Sequence, residues 1–215
     1  KASAIDKLSE LKSSSEFYLL CVNDDAIVKL TQELIDYLPS DKNIIHFSGM
    51  QGVDAIDSYF KGRGVLWPLQ SLNEGVEIHW EEIPFFVESN QEIQNLLFEF
   101  CSFLRLRTHV VQSNDKKWIH IAAVFANNFS NFNLVVASEI LKSINIPFDV
   151  METILTTTMQ QAFQLGPEQT QTGPAVRHDT EVIKKQLLLL NEKFGQYEEI
   201  YRIMSQQIIH HFGKK

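Results

Sequence analysis

The spacing of apolar residues changes character near residue 114. Before it they come in short runs closed by polar or turn-forming residues, and after it they recur at helical spacing. Ala4 to Leu11 has helical spacing and ends in Ser13, Ser14 and Ser15. Phe17 to Val22 (FYLLCV) is a brief apolar run that predicts a buried parallel strand. Asn23, Asp24 and Asp25 then lead into an amphipathic segment, Ala26 to Leu38, which Pro39 closes. Asn43 to Phe47 is the next apolar run and opens into Ser48-Gly49. Strand, turn, helix and strand in that order predict a parallel sheet with crossovers. The Gly-, Pro- and Trp-containing stretch from Gly62 to Glu82 reads as the edge of this first domain. Beyond it, Pro84 to Glu88 predicts a strand, Gln91 to Leu104 a helix and Thr108 to Gln112 a last short strand.

The rest reads as helix, in segments near 115–144, 149–164, 179–190 and 196–212, divided at Pro147 and at the polar loop from Gly166 to Pro174. The first, about thirty residues, far exceeds the usual helix of about 11–12 and suits a domain span or an interface. The pattern therefore predicts an α/β domain over 1–112 and an all-helical domain over 113–215. With 215 residues and 44% hydrophobic content the chain can bury two modest cores.

Charge and cysteine content narrow the class. Nineteen basic against 27 acidic residues give −8, which disfavours neutralising a phosphate backbone, so no nucleic-acid partner is expected. Cys21 and Cys101 each sit in an apolar run and read as small buried hydrophobes, without a disulfide framework. No run reaches the roughly 18 apolar residues a membrane span needs, and no charged-then-apolar leader is visible, so no membrane partner and a cytoplasmic location are expected. The chain opens on Lys1 and reads as a piece of a longer protein. No G-x-S-x-G, H-E-x-x-H or G-x-x-x-x-G-K-[ST] occurs. His210-His211 has no spaced ligand partner, so no metal site is expected.

Five stretches offer chemistry, each with a plainer account beside it. In CVNDDAI, Asn23 and Asp24 stand where a strand ends, the place where open α/β sheets bind ligands, or they simply turn the chain and cap the next helix. In HFSGMQG, Ser48 and Gly49 permit close approach of a ligand to the backbone, or form an ordinary strand-to-helix turn. In WPLQS, read as a loop, Trp67 and Gln70 could line a pocket, or Trp67 could plug a seam between domains. In the long helix, a step of about 100° per residue puts His120, Asn127 and Asn131 on one line, with Asn128 at its border. Their apolar setting, Ile121 to Phe125 and Phe129, predicts burial, so these groups need partners, either a ligand or a facing helix. In TGPAVRHD, Thr172 and a Gly-Pro turn lead to Arg177, a fork for carboxylate or phosphate or merely a surface ion pair, and to Asp179, an N-cap candidate.

Taken in order, FYLLCVNDDAI, IHFSGMQG, WPLQS, IHIAAVFANNF and TGPAVRHD resemble a family of Rossmann-like oxidoreductases whose C-terminal helical domain is of unknown function. It is similar in plan to the β-hydroxyacid dehydrogenases, the pyrroline-carboxylate reductases and the deazaflavin-dependent NADP oxidoreductases. The resemblance implies an α/β fold, with the later part of a Rossmann sheet followed by an all-α dimerisation domain. It implies an NAD(P)-dependent hydride transfer involving a small carbonyl, hydroxy or imine substrate, in a homodimer built through the helical domain. Val22, Asn23, Asp24, Ser48 and Gly49 would border the nicotinamide. His120 and Asn128 would act on the substrate, which Trp67, Gln70, Thr172, Arg177 and Asp179 would help to hold. Where related dehydrogenases carry a lysine on this helix, His120 stands, an imidazole able to exchange a proton near neutrality. Two features depart from the family: Trp67-Pro68 replaces the common His-Pro, and no G-x-G-x-x-G occurs, the glycine-rich first strand being expected ahead of Lys1. The other reading is a non-catalytic dimeric binding or scaffold protein that keeps the fold.

Overall fold

The computed structural model describes residues 3–72 and 75–213; Lys1, Ala2, Asn73, Glu74, Lys214 and Lys215 lie outside the described residues. The chain divides into two compact units, Lys1–Asn127 and Asn128–Lys215.

The first unit is a five-stranded sheet in the order β1-β2-β3-β4-β5. Its strands are β1 (Phe17–Leu20), β2 (Asn43–His46), β3 (Gly62–Pro68), β4 (Pro84–Ser89) and β5 (Arg107–Val110), with helix α1 (Asp24–Leu34) between β1 and β2 and α2 (Gln94–Phe103) between β4 and β5. These two crossovers keep their strand pairs parallel, as β2 and β3 also are. β4 turns back antiparallel to β3, because no helical crossover joins them. The α/β class with a mostly parallel sheet is as expected. The stretch expected at the domain's edge instead contains β3, the sheet's middle strand. Its glycines disguise it. A Cβ on Gly62 or Gly64 would meet Ile93 or Leu97 side chains, so the missing side chains let this end of α2 lie close on the strand.

The two faces carry separate cores. Ile45, Leu66, Phe85 and Val87 pack with Ile93, Leu97 and Cys101 from the α2 side, whereas Leu20 and Ile44 pack with Leu34, Leu38, Ile56 and Phe60. Each such fully buried side chain contributes about 1.5–3 kcal/mol. Ala4 to Leu11 forms only one 3-10 turn, Leu8–Glu10, too short to propagate, though Leu8 and Leu11 still rest on the second core. Cys101 is buried and Cys21 is not, so the reading of both as core thiols fails for Cys21, which lies just past the strand end.

From Ser113 a helix runs to Lys142 in three parts: α3 (Ser113–Ala123), a π-helical segment (Val124–Phe129) and α4 (Ser130–Lys142). The first unit therefore extends past the expected 112/113 boundary to Asn127, within the π segment. The second unit holds α4, α5 (Glu152–Leu165), the single turn α6 (Pro167–Thr170), α7 (Thr180–Lys193) and α8 (Glu198–Phe212). Tyr197 donates its hydroxyl to Glu139 Oε2 at 2.6 Å, and the Lys193 ammonium donates to the Ser143 carbonyl at 3.1 Å. Only Leu141, Ala175 and Ile183 among its described apolar residues are buried, while Phe163 is 91% exposed and Ile154, Leu188 and Leu189 are exposed as well.

Candidate active site

Hydrogen-bonding partners across the sheet place Leu20, His46, Val65 and Glu88 side by side, and two residues along the strands stand Trp67, Phe86 and His109 in a second row. Side chains in such rows share a face. α3 supplies Lys116 and His120 to this face, one helical turn apart.

His120 lies on the indole of Trp67, ring centroids 5.6 Å apart, and Trp67 in turn contacts Phe86 at 5.4 Å. Phe86 continues the row to His109 at 5.6 Å. Gly49, at the carboxyl end of β2, closes the group, since a Cβ there would stand 2.6 Å from His120 Cδ2 and 2.7 Å from Trp67 Cε2. Trp67 is the penultimate residue of β3, not part of a loop, and it is buried.

Beneath these rings is a polar network that holds the loop from Ser48 to Val53. Ser48 donates its hydroxyl to Asp24 Oδ2 at 2.6 Å and accepts the amides of Met50 (3.1 Å) and Gln51 (2.9 Å). The Ser48 amide donates to His46 Nδ1 at 3.2 Å, so Nδ1 is unprotonated and Nε2 carries the proton it gives to the Gly52 carbonyl, 3.1 Å away. His46 is thus neutral. Burial pushes its pKa below the usual value, with Lys116 adding to that against the Gly52 bond and the charges of Glu88 and Asp24.

Lys116 has no exposed surface and Glu88 almost none. Their Nζ and Oε2 atoms are 3.2 Å apart, paired by charge more than by a well-aimed hydrogen bond. The ammonium also donates to the carbonyls of Gln51 and, at 3.3 Å, Ser48. Glu88 Oε1 accepts the Val53 amide at 2.9 Å and the Ser113 hydroxyl. Burial raises the Glu88 pKa, but Ser113, Val53 and Lys116 outweigh it and hold the carboxyl below its ordinary range. For Lys116 burial wins, and its pKa falls despite the carboxylates of Glu88 and Asp24.

Residues 83–208 match the family described as "Domain of unknown function (DUF2520)". The chain belongs to this family. A crystal structure of the Bacteroides fragilis protein BF3122, described as a "putative NADP oxidoreductase", is 30% identical with a TM-score of 0.87, covering 96% of this chain and 80% of that one. Protein TM1727 from Thermotoga maritima is 22% identical with a TM-score of 0.67, covering 90% of this chain and 77% of that one, and it shares the fold. Synechocystis arogenate dehydrogenase is 15% identical with a TM-score of 0.46, covering 93% and 79%. No curated protein matches the chain. The Rossmann-like fold with its helical domain, and the kinship with this family, are therefore as the sequence implied.

Of the residues singled out in the sequence, the first unit brings together Asp24, Ser48, Gly49, Trp67 and His120. Val22 and Asn23 are exposed past the end of β1, and Asn23, at the N-cap position of α1, makes no side-chain cap bond. Gln70 is exposed and bonds through its backbone amide to the Pro68 carbonyl. The line through His120, Asn127 and Asn131 does not survive, because the π segment winds fewer degrees per residue than the α-helix assumed for it. Asn127 donates to Ser71 Oγ at 2.8 Å, and Asn128 is exposed. Ile121, Phe125 and Phe129 are exposed on this chain, contrary to the expected burial. In the second unit, Thr172 and Arg177 are exposed, with no ion pair for Arg177 among the described residues. Asp179 Oδ1 accepts the Val182 amide at 3.3 Å and caps α7. Its carboxylate has that structural task whatever else it does.

Lys116, Glu88, His46 and Ser113 were missed. The signal existed for three of them: His46 and Glu88 are polar residues closing apolar strands, and Lys116 lies four residues before His120. Nothing local marked Ser113.

Proposed function

We propose that the protein is an NAD(P)-dependent oxidoreductase moving a hydride between the nicotinamide and a small carbonyl, hydroxy or imine substrate. The observation that carries this reading is the meeting of Gly49, Trp67 and His120 at the carboxyl ends of β2 and β3, where open α/β sheets take their ligands. Similarity to BF3122 along nearly the whole chain supports it. The residues suit a nicotinamide at one end: Val22 offers apolar surface and Asn23 an exposed amide with no cap bond, matched to a flat ring bearing a carboxamide. Asp24 and Ser48 shape that rim by binding each other. The bound cofactor would supply or receive the hydride. His120 would give or take the accompanying proton, with Trp67 fixing the plane of its ring. Asn128, Thr172, Arg177 and Asp179 remain proposed substrate contacts from the second unit, and Gln70 from the first.

The experiment is an NADPH and NADH titration of the complete protein, followed by turnover with a panel of small carbonyls and imines. Saturable quenching or enhancement of cofactor fluorescence, with turnover lost in His120→Ala, is expected. No binding of either cofactor would overturn the reading. A non-catalytic dimeric scaffold draws on one observation, the mutual satisfaction of Asp24 and Ser48; cofactor binding without turnover of any member of the panel would favour it. A homodimer formed through the helical unit is part of the proposal, supported by that unit's thin core and its exposed Phe163, Ile154, Leu188 and Leu189.

A further inference from the structure

Lys116 is fully buried and Glu88 keeps less than a tenth of its surface. Buried ion pairs are generally no more stabilising than apolar residues of the same volume, so stability does not explain this one. Its bonds have a common destination. Lys116 holds the carbonyls of Ser48 and Gln51, on either side of the Gly49-Met50 bend, and Glu88 holds the amide of Val53 where the same loop ends. Gly52 is drawn in so closely that a Cβ there would stand 2.5 Å from Ser113 Oγ.

Lys116 also anchors the other partner of the contact above it. His120 follows it by one turn of α3, so fixing the ammonium against the sheet fixes the rotation and height of the helix that presents the imidazole. One side chain therefore governs both Gly49 and His120, and the second register row supplies the indole between them.

We propose that the Glu88–Lys116 pair is a positioning device for His120, setting the imidazole's place on Trp67 and Gly49 so that its proton exchange is aimed at the strand-end rim. The inference rests on the reading of His120 as the proton-handling group. Neither Glu88 nor Lys116 touches substrate or cofactor in this account. His46 and Asp24 complete the surroundings of the ammonium, and both are already committed to the loop or to Ser48.

The test uses the complete protein carrying Glu88→Leu with Lys116→Met, which keeps volume and leaves no orphaned charge. Thermal unfolding checks that the fold is retained. The milder Glu88→Gln keeps an acceptor for Ser113 and Val53 and serves if the double variant fails to fold. The first readout is the His120 Cδ2–H resonance, assigned by its loss in His120→Ala and displaced in the wild type by the indole ring current. It should shift towards the position of an exposed histidine and broaden, while the His178, His210 and His211 signals stay in place. The second is NADPH turnover, in which kcat should fall about tenfold or more, as expected for a misplaced acid or base, with KM little changed. A folded variant with an unmoved His120 resonance overturns the proposal. If the wild type binds no nicotinamide cofactor, the oxidoreductase reading fails, and the His120 resonance alone still decides whether the pair positions the ring.

Discussion

Gly49 is the smallest residue in the site and controls its closest contact. A methyl group there would overlap His120 and Trp67, so one of the two rings must move. Gly49→Ala should lower turnover by about a hundredfold, the scale of a displacement near 1 Å, with an altered Trp67 emission as its structural sign. Lys116 is sensitive in a different way. Lys116→Met alone leaves Glu88 charged, buried and unpaired, and should cost about 3–5 kcal/mol in denaturant unfolding, most of it recovered when Glu88→Leu is added. His46 and Glu88 set the pH response. Both have folded-state pKa values below their unfolded ones, so the unfolded chain binds more protons. Stability should be fully present above pH 6.5 as far as His46 is concerned, and fall as the pH drops from there towards its lowered pKa, with Glu88 adding a further loss below its ordinary 4.5. Urea midpoints from pH 8 to pH 4 check this. A midpoint constant between pH 7 and 5 would contradict the neutral His46.

At the scale of elements, apolar runs marked β1, β2 and β4, whereas β5 is polar and mostly exposed and was placed only by its position after α2. β3 was hidden, since Gly62, Arg63 and Gly64 spend their places on close packing and polar contact. The long helix is evident from its period, yet its π segment is not: a change from i+4 to i+5 bonding leaves no mark in the hydrophobic pattern, and it displaces the polar stripe that an unbroken α-helix would carry. Gly49 could be named from a strand end, His120 from a helix and Trp67 only as part of a presumed loop. Their meeting depends on register, which only pairing across β2, β3 and β4 determines. Helix ends follow a rule that sequence shows poorly. Arg105 and Asn145 adopt positive φ just past α2 and α4, where bonds such as Leu106 N–H to the Cys101 carbonyl and Arg105 N–H to the Ser102 carbonyl close Schellman turns, and His178 does the same in the turn ahead of α7. Arg105→Gly should therefore stabilise the first unit by about 1 kcal/mol, and Asp179→Ala, which loses the α7 cap, should cost about as much. Thermal melts of the two variants give both signs.

At the scale of the molecule, the two units differ in how they are held. The first has two apolar cores on either side of a sheet, whereas the second buries few side chains and presents large ones outward. No helix among the described residues is long and apolar enough to cross a membrane. The proposed homodimer would cover these outward side chains, and sedimentation at micromolar concentration should give a dimer that Phe163→Asp weakens; a monomer in both cases would remove the homodimer from the proposal.

The two thiols fall on opposite sides of the same sheet's solvent boundary. Burial raises the Cys101 pKa to about 11, keeping it in its unreactive protonated form, while Cys21 is open to solvent beside Val22 and Asn23. The protein thus comes with a ready attachment point next to the rim proposed for the nicotinamide. A maleimide dye should mark Cys21 alone in the native state, and NADPH should slow that labelling by standing in its way.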